Sequence, residues 1–319
     1  MNDVINSIRP VVFTCDQAYA MPLATALRSI AESNQADWPL NIHILSNGFT
    51  EATRYAVSGS LPSGSASIRW RPVDVRAFDG LSSWAGATRK NYARLLIPKL
   101  FPASTERILY LDPDIIVMDR LHALWTTDLE GAAIGAVLDT GVDPLLRAGK
   151  LADRNVPRVD SYFNSGAMLI DLPRWRSERI SERALEYLRQ NPATFFSDQD
   201  AFNVACDGRW KPLDGKWNYQ RHLDGSIDNI EPASRPTIVH FVSTPKPWDP
   251  TSLSENAAFY DDYRRRTRFA RTKTDKFRDI CVRFWTLFKR WLSNHLIGVR
   301  AWTYLKSIIA KTFPAHRPT

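Results

Sequence analysis

Cysteine is scarce in this chain of 319 residues: Cys15, Cys206 and Cys281 are far apart and odd in number. That excludes a disulfide framework and zinc-finger spacing, and it fits a reducing cytosol. No run approaches the ~20 uninterrupted apolar residues that a bilayer span needs, because Lys and Arg recur through the apolar stretches near the C-terminus. Met1 to Pro10 lacks the basic segment and apolar core of a secretory signal, so nothing points to export. Internal repeats are also missing. What remains is 44% hydrophobic, enough for one catalytic domain with a core of its own plus an appendage.

The net charge of +8 is unevenly placed. Residues 264–319 carry fifteen Lys and Arg against Asp275 and Asp279, while residues 1–263 carry 27 basic and 32 acidic residues. The basic character thus belongs to the tail, and a mildly acidic body argues against a nucleic-acid-binding domain. We place the domain boundary there, with a catalytic domain over 1–263 and a basic, aromatic-rich helical tail over 264–319.

Apolar runs alternate with helical spacings along the body. Strands are expected at Val11–Thr14, Leu40–Leu45, Ile68–Val75, Arg107–Leu111, Ala133–Leu138, Gly166–Leu172 and Thr237–Val242. Helices are expected at Leu23–Ile30, Thr88–Leu100, Ile180–Gln190 and Asp198–Ala205, with a polar loop over Asp143–Arg158. Such alternation implies an α/β fold with an open, mostly parallel sheet, and ligands bind such sheets at the carboxyl ends of strands. Asp16, Asp112, Asp114 and Asp139 all fall there.

Asp112-Pro113-Asp114 closes one apolar run and opens another. Two acids at i and i+2 point to one side, and the proline between them takes the backbone out of the sheet. The pair would clamp a hard divalent cation, Mg or Mn, whose other positions go to water and phosphate. A strand ending in a plain Asp-Pro-Asp turn reads the same way, since acids and prolines populate turns.

Six ordered segments go further. They are Val11-Val12-Phe13-Thr14-Cys15-Asp16, Asn91-Tyr92-Ala93-Arg94-Leu95, Leu109-Tyr110-Leu111-Asp112-Pro113-Asp114, Phe163-Asn164-Ser165-Gly166, Ser197-Asp198-Gln199-Asp200 and His240 to Trp248. Together, over about residues 11–250, they resemble the bacterial family-eight glycosyltransferases, the retaining lipopolysaccharide glucosyl- and galactosyltransferases. The resemblance implies a GT-A-type fold, a single Rossmann-like mixed sheet flanked by helices. It also implies transfer of a hexose from a UDP-sugar to a lipopolysaccharide or related glycan.

By the same resemblance His240 joins Asp112 and Asp114 as a metal ligand, and the mixed oxygen and nitrogen set favours Mn over Mg. Thr14, Asp16 and Tyr19 hold the uridine, with Tyr19 stacking on the base. Lys246 meets the diphosphate on a loop stiffened by Pro245 and Pro247. Ser243 stands in that loop where the family often has glycine, and Gln17 replaces a common acid. Arg94, Asp139, Asn164, Asp198 and Gln199 are implied contacts to the sugar and its reacting face, and Asp112 also contacts the donor. An amide is a poor nucleophile, so Gln199 points to front-face transfer rather than a covalent intermediate on Asp198 or Asp200.

In the tail, Phe277, Ile280, Cys281, Phe284, Phe288, Trp291 and Leu292 fall on one helical stripe, and Trp302, Leu305, Ile308 and Ile309 repeat it more weakly. Basic residues cover the remaining faces. This suits an anionic membrane surface, and hence a protein peripheral on the inner face of the cell membrane. A helix packed on the body with solvated charges is the other reading, and Arg264 to Arg271 are candidates to hold glycolipid phosphates. Two functional alternatives remain: transfer to a protein or soluble sugar, and a non-catalytic sugar-nucleotide-binding module.

Overall fold

The computed structural model describes residues 9–46, 48–81, 91–221 and 226–295. Seven strands form the main sheet in the order β3-β2-β1-β4-β7-β6-β8. They are β1 (Pro10–Cys15), β2 (Leu40–Ser46), β3 (Ala66–Pro72), β4 (Arg107–Leu111), β6 (Ile134–Leu138), β7 (Phe163–Asp171) and β8 (Lys211–Pro212). Only β7 runs against its neighbours β4 and β6; the other pairs are parallel.

The central strands are apolar without interruption because both faces are covered. Val11, Phe13, Leu109 and Leu111 pack on one side with helix Ala20–Ser33. Val12, Ile108 and Tyr110 pack on the other with helices Ile180–Gln190 and Asp198–Cys206. Alternation along β1 and β4 thus feeds two cores from one strand. Since β1, β4 and β6 are parallel, the residues after them (Asp16, Asp112 and Asp139) share one edge of the sheet.

A second sheet is not evident in the sequence pattern. β5 (Ile115–Val117), β10 (Ile238–Phe241) and β9 (Tyr219–Arg221) form it in that order, with β10 antiparallel to β5 and parallel to β9. Asp112-Pro113-Asp114 is the step between the two sheets. The Asp112 amide donates to the Gly166 carbonyl at 2.7 Å, and the Asp114 carbonyl accepts from the Phe241 amide at 3.0 Å.

Some expected elements differ. The helix expected over Thr88–Leu100 is a 3-10 helix at Asn91–Leu96 followed by one α-turn at Ile97–Leu100, its first three residues lying outside the described ones. Pro98 explains this, because it has no N–H to return to the carbonyl of residue 94 and its ring crowds that carbonyl. The expected loop Asp143–Arg158 begins with a short helix, Val142–Arg147. Asp139 starts it by accepting from the amides of Gly141 (3.0 Å) and Val142 (2.7 Å). The strand expected from Gly166 starts at Phe163, which puts Asn164, Ser165 and Gly166 on β7 itself.

Helix Lys273–His295 follows the body, and among the described residues no helix is long and apolar enough to cross a membrane. Its stripe faces away from the body: Phe277, Ile280 and Phe284 are 69%, 64% and 69% exposed. Among the described residues the body leaves that stripe uncovered, while Asp279 on the same helix is buried against Arg271. Trp302, Leu305, Ile308 and Ile309 lie outside the described residues.

Candidate active site

Asp112, Asp114 and His240 meet where the two sheets join, their ligand atoms all within 4.8 Å of one another. β10 places His240 beside Ile115, and its Nε2 lies 3.3 Å from Asp114 Oδ1 and 4.0 Å from Asp112 Oδ2.

The hydrogen-bond network fixes the tautomer of His240. The Gly166 amide must donate, so the Asn164 atom it meets at 3.0 Å is Oδ1. Asn218 therefore presents Nδ2 to that same oxygen at 2.9 Å, which leaves its own Oδ1 facing His240 Nδ1 at 3.0 Å. Nδ1 thus carries a proton, and the Nε2 lone pair points at the two carboxylates. Asp114 Oδ1 is buried and accepts no hydrogen bond among the described residues. Two facing lone pairs require something positive between them.

Gly166 keeps that space open, since a Cβ there would lie 2.2 Å from His240 Cε1 and 2.8 Å from Asp112 Oδ2. Two carboxylates, an oriented imidazole, a bare buried oxygen and a cradle that excludes a methyl group fit a divalent cation. Lys246 reaches the same cluster, with Nζ 2.8 Å from Asp114 Oδ2 and a second bond to the Phe241 carbonyl. Burial pushes the Asp114 carboxyl up, but the positive charge beside it, Lys246 first, outweighs burial and holds it well below the usual carboxylate range.

A second group lies beside the first on the main sheet. Buried Arg94 pairs through Nε with Asp198 Oδ2 at 2.6 Å, donates through Nη1 to the Ser165 carbonyl at 2.9 Å, and stands 3.7 Å from Asp112 Oδ1. Its guanidinium lies over the Tyr110 ring, 4.9 Å from the centroid, and the Tyr110 hydroxyl donates to Asp112 Oδ1 at 2.7 Å. Asp198 does not cap its helix. Its carboxyl goes to Arg94, and burial, opposed by Arg94, pushes its pKa up to about 6. The preceding Ser197 sits at φ 56°, ψ −122°, strained for a residue other than glycine, and its hydroxyl bonds to the Tyr92 hydroxyl at 2.8 Å.

Asp139 joins the two groups. Its Oδ2 accepts from Asn164 Nδ2 at 3.0 Å and from Gln199 Nε2 at 3.1 Å, while Gln199 Oε1 accepts from the Ser165 amide at 3.1 Å. Asp200 faces the other way. Fully buried, it accepts from the Tyr162 hydroxyl, the Thr194 hydroxyl and the Phe196 amide at 2.5, 2.6 and 2.7 Å.

The remaining expected residues sit on the rim. The Thr14 hydroxyl shares a 2.7 Å bond with that of Tyr110. Asp16 caps a 3-10 turn by accepting from the Tyr19 amide at 3.3 Å. Tyr19 is partly buried edge-on against Trp248, ring centroids 6.4 Å apart, and burial, with Asp114 and Asp112 adding, pushes its hydroxyl up. Ser243 and Lys246 lie on the loop after β10, Ser243 partly buried. Asn218, Ser165, Gly166 and Tyr110 were not singled out as site residues from the sequence. Only Ser165, Gly166 and Tyr110 belong to segments that carried a signal.

The sequence model of glycosyl transferase family 8 matches residues 10–252. General stress protein A of Bacillus subtilis (strain 168) is 26% identical over 76% of this chain and 88% of its own length. Lipopolysaccharide 1,3-galactosyltransferase of Salmonella typhimurium is 25% identical over 75% of this chain and 72% of its own. Among solved structures, galactosyltransferase LgtC in complex with donor and acceptor sugar analogues shares the fold at a TM-score of 0.68 and 27% identity, covering 81% of this chain and 96% of LgtC.

Proposed function

The chain belongs to glycosyl transferase family 8, and from that premise we propose that it moves a hexose, galactose or glucose, from a UDP-sugar to a glycan acceptor with retention of configuration. The observation that carries the proposal is the meeting of Asp112, Asp114 and His240 beside the Asp139, Asn164 and Gln199 network. A cation held by those three residues, Mn before Mg given the imidazole, supplies Lewis-acid stabilisation for charge on the departing diphosphate.

The chain's own groups do the rest. Lys246, whose ammonium now rests on Asp114, brings a second positive charge to the diphosphate. Thr14, Asp16 and Tyr19 form the uridine end, where Asp16 exchanges its cap bond for one from the base and the Tyr19 ring covers the base. Arg94 holds Asp198 and the Ser165 carbonyl in place, and Asp139, Asn164 and Asp198 take the sugar hydroxyls. Ser243 and Asp112 complete the donor contacts.

Gln199 is anchored at both ends of its amide, so it stabilises the oxocarbenium-like centre without forming a bond to it. The acceptor proton passes to the departing diphosphate oxygen on the same face. Asp200 has both oxygens engaged by donors, which argues against a nucleophilic role.

For the acceptor we propose lipopolysaccharide or lipooligosaccharide, on the strength of the Salmonella relative and the outward-facing stripe of helix Lys273–His295. The catalytic domain then spans residues 1–263, and the tail 264–319 docks on the cytoplasmic face of the membrane. NMR of the product made from each UDP-hexose and a lipooligosaccharide core tests this. An α-linked product supports retention, and a β-linked product or none from any donor contradicts it.

A further inference from the structure

Where helix Ala257–Arg264 meets the first turns of helix Lys273–His295, two concavities of about 330 and 310 Å³ share Asp261, Arg271 and Lys276 and form one groove. This size suits a small polar headgroup. Its acids are consumed locally. Asp261 pairs with Arg271 at 2.7 Å, Asp262 with Arg265 at 2.6 Å and Arg266 at 3.1 Å, and Asp279 with Arg271 at 3.1 Å. Arg271 also donates through Nη2 to the Trp248 carbonyl at 2.8 Å.

Three further cations on the walls, Arg264, Lys276 and Arg283, form no ion pair among the described residues, and Arg264 donates through Nε to the Phe269 carbonyl at 2.8 Å. Arg283 Nε is buried without a hydrogen bond, an unmet cationic donor. Arg264 has its pKa lowered, by burial first and by Arg271 second. Lys276 and Arg283 are seven residues apart, about two turns, and so share a helix face. Ile280, 64% exposed, lies between them and lines the groove next to the outward stripe of Phe277 and Phe284.

We propose that this groove binds the phosphate monoester of a lipid headgroup, with the acyl chains leaving along the exposed apolar stripe. A monoester carries close to two negative charges at neutral pH and offers several acceptor oxygens, matching three cations without an ion pair among the described residues and the unmet Arg283 N–H. The inference rests on the reading of the tail as membrane-facing, and it adds a defined site to what would otherwise be diffuse attraction.

The test uses the full chain with phosphatidylcholine vesicles containing either phosphatidic acid, a monoester, or phosphatidylglycerol, a diester, at matched surface charge. Inorganic phosphate is titrated separately by tryptophan fluorescence. Wild type is expected to favour phosphatidic acid by about tenfold. Lys276→Gln/Arg283→Gln should lose that preference while keeping most of its binding to phosphatidylglycerol, and its UDP release should be unchanged. Equal binding of wild type to both vesicles, or a preference that survives in the variant, overturns the groove and leaves membrane contact standing. No binding to either vesicle overturns the membrane reading as well. Inorganic phosphate binding that is lost in the variant, without vesicle binding, would name free phosphate as the ligand and overturn the lipid.

Discussion

Gly166→Ala adds a single methyl group at the point where the metal cluster is tightest. The new Cβ would lie 2.2 Å from His240 Cε1 and 2.8 Å from both His240 Nδ1 and Asp112 Oδ2, well inside the ~3.5–4.0 Å of ordinary carbon contacts. The backbone is held on both sides of this residue, by the 2.7 Å bond from the Asp112 amide to the Gly166 carbonyl and the 3.0 Å bond from the Gly166 amide to Asn164. The imidazole must therefore swing, losing its bond to Asn218 and withdrawing Nε2 from the carboxylates. Overpacking of this kind costs about 1–3 kcal/mol of stability. Loss of one oriented ligand should weaken Mn binding by about 100-fold, or about 3 kcal/mol. The free Mn signal in an EPR titration measures this directly, with circular dichroism confirming the fold. Gly215→Ala, with nothing within 4 Å of its Cβ, is the matched control. A folded Gly166→Ala protein that binds Mn as tightly as wild type would refute the placement of the cation.

Three other outcomes follow from the same geometry. Asn218→Leu removes the acceptor that holds the proton on His240 Nδ1, so Mn affinity should fall about 10- to 100-fold, whereas Asn218→Asp should restore it; equal affinities in all three proteins would deny Asn218 that role. Asp198 has its pKa raised to about 6, so the folded chain keeps a proton that the unfolded chain has already lost. Its stabilising contribution is complete below the unfolded value and fades as pH rises through about 6. Urea unfolding at several pH values should show about 3 kcal/mol of that decline in wild type and not in Asp198→Asn, and parallel slopes would count against the shift. Asp200→Asn should cost about 1–3 kcal/mol of stability, because its amide cannot accept from all three donors, yet leave turnover per folded molecule within an order of magnitude. A complete loss of turnover in a folded variant would reopen a covalent intermediate.

Much of the main sheet was legible because its signals are local. Arg107–Leu111 and Ile180–Gln190 are bounded by their own apolar pattern, and the structure ends them at the same residues. The Asp-Pro-Asp step leaves the sheet where the proline requires it. The second sheet was hidden because β5 and β9 are three residues each and are defined by pairing with β10, more than a hundred positions away from β5. Asn218 was missed for a similar reason. Nothing around Trp217-Asn218-Tyr219 marks a ligand-orienting amide until the fold brings it to His240. Gly166 was noticed within a motif, but its purpose is steric and appears only when the imidazole and carboxylate stand opposite it. Asp198 is implied by the resemblance as a contact to the sugar, and its pairing with buried Arg94 appears only in the fold.

We propose that Asp112, Asp114 and His240 hold a cation that makes this chain a UDP-hexose transferase. Release of UDP from UDP-galactose and UDP-glucose, measured with Mn and again with chelator, in wild type and Asp114→Asn, addresses it most directly. Metal-dependent release from at least one donor is expected in wild type, abolished by chelator and by the substitution. Undiminished release from chelator-treated wild type or from folded Asp114→Asn would contradict it.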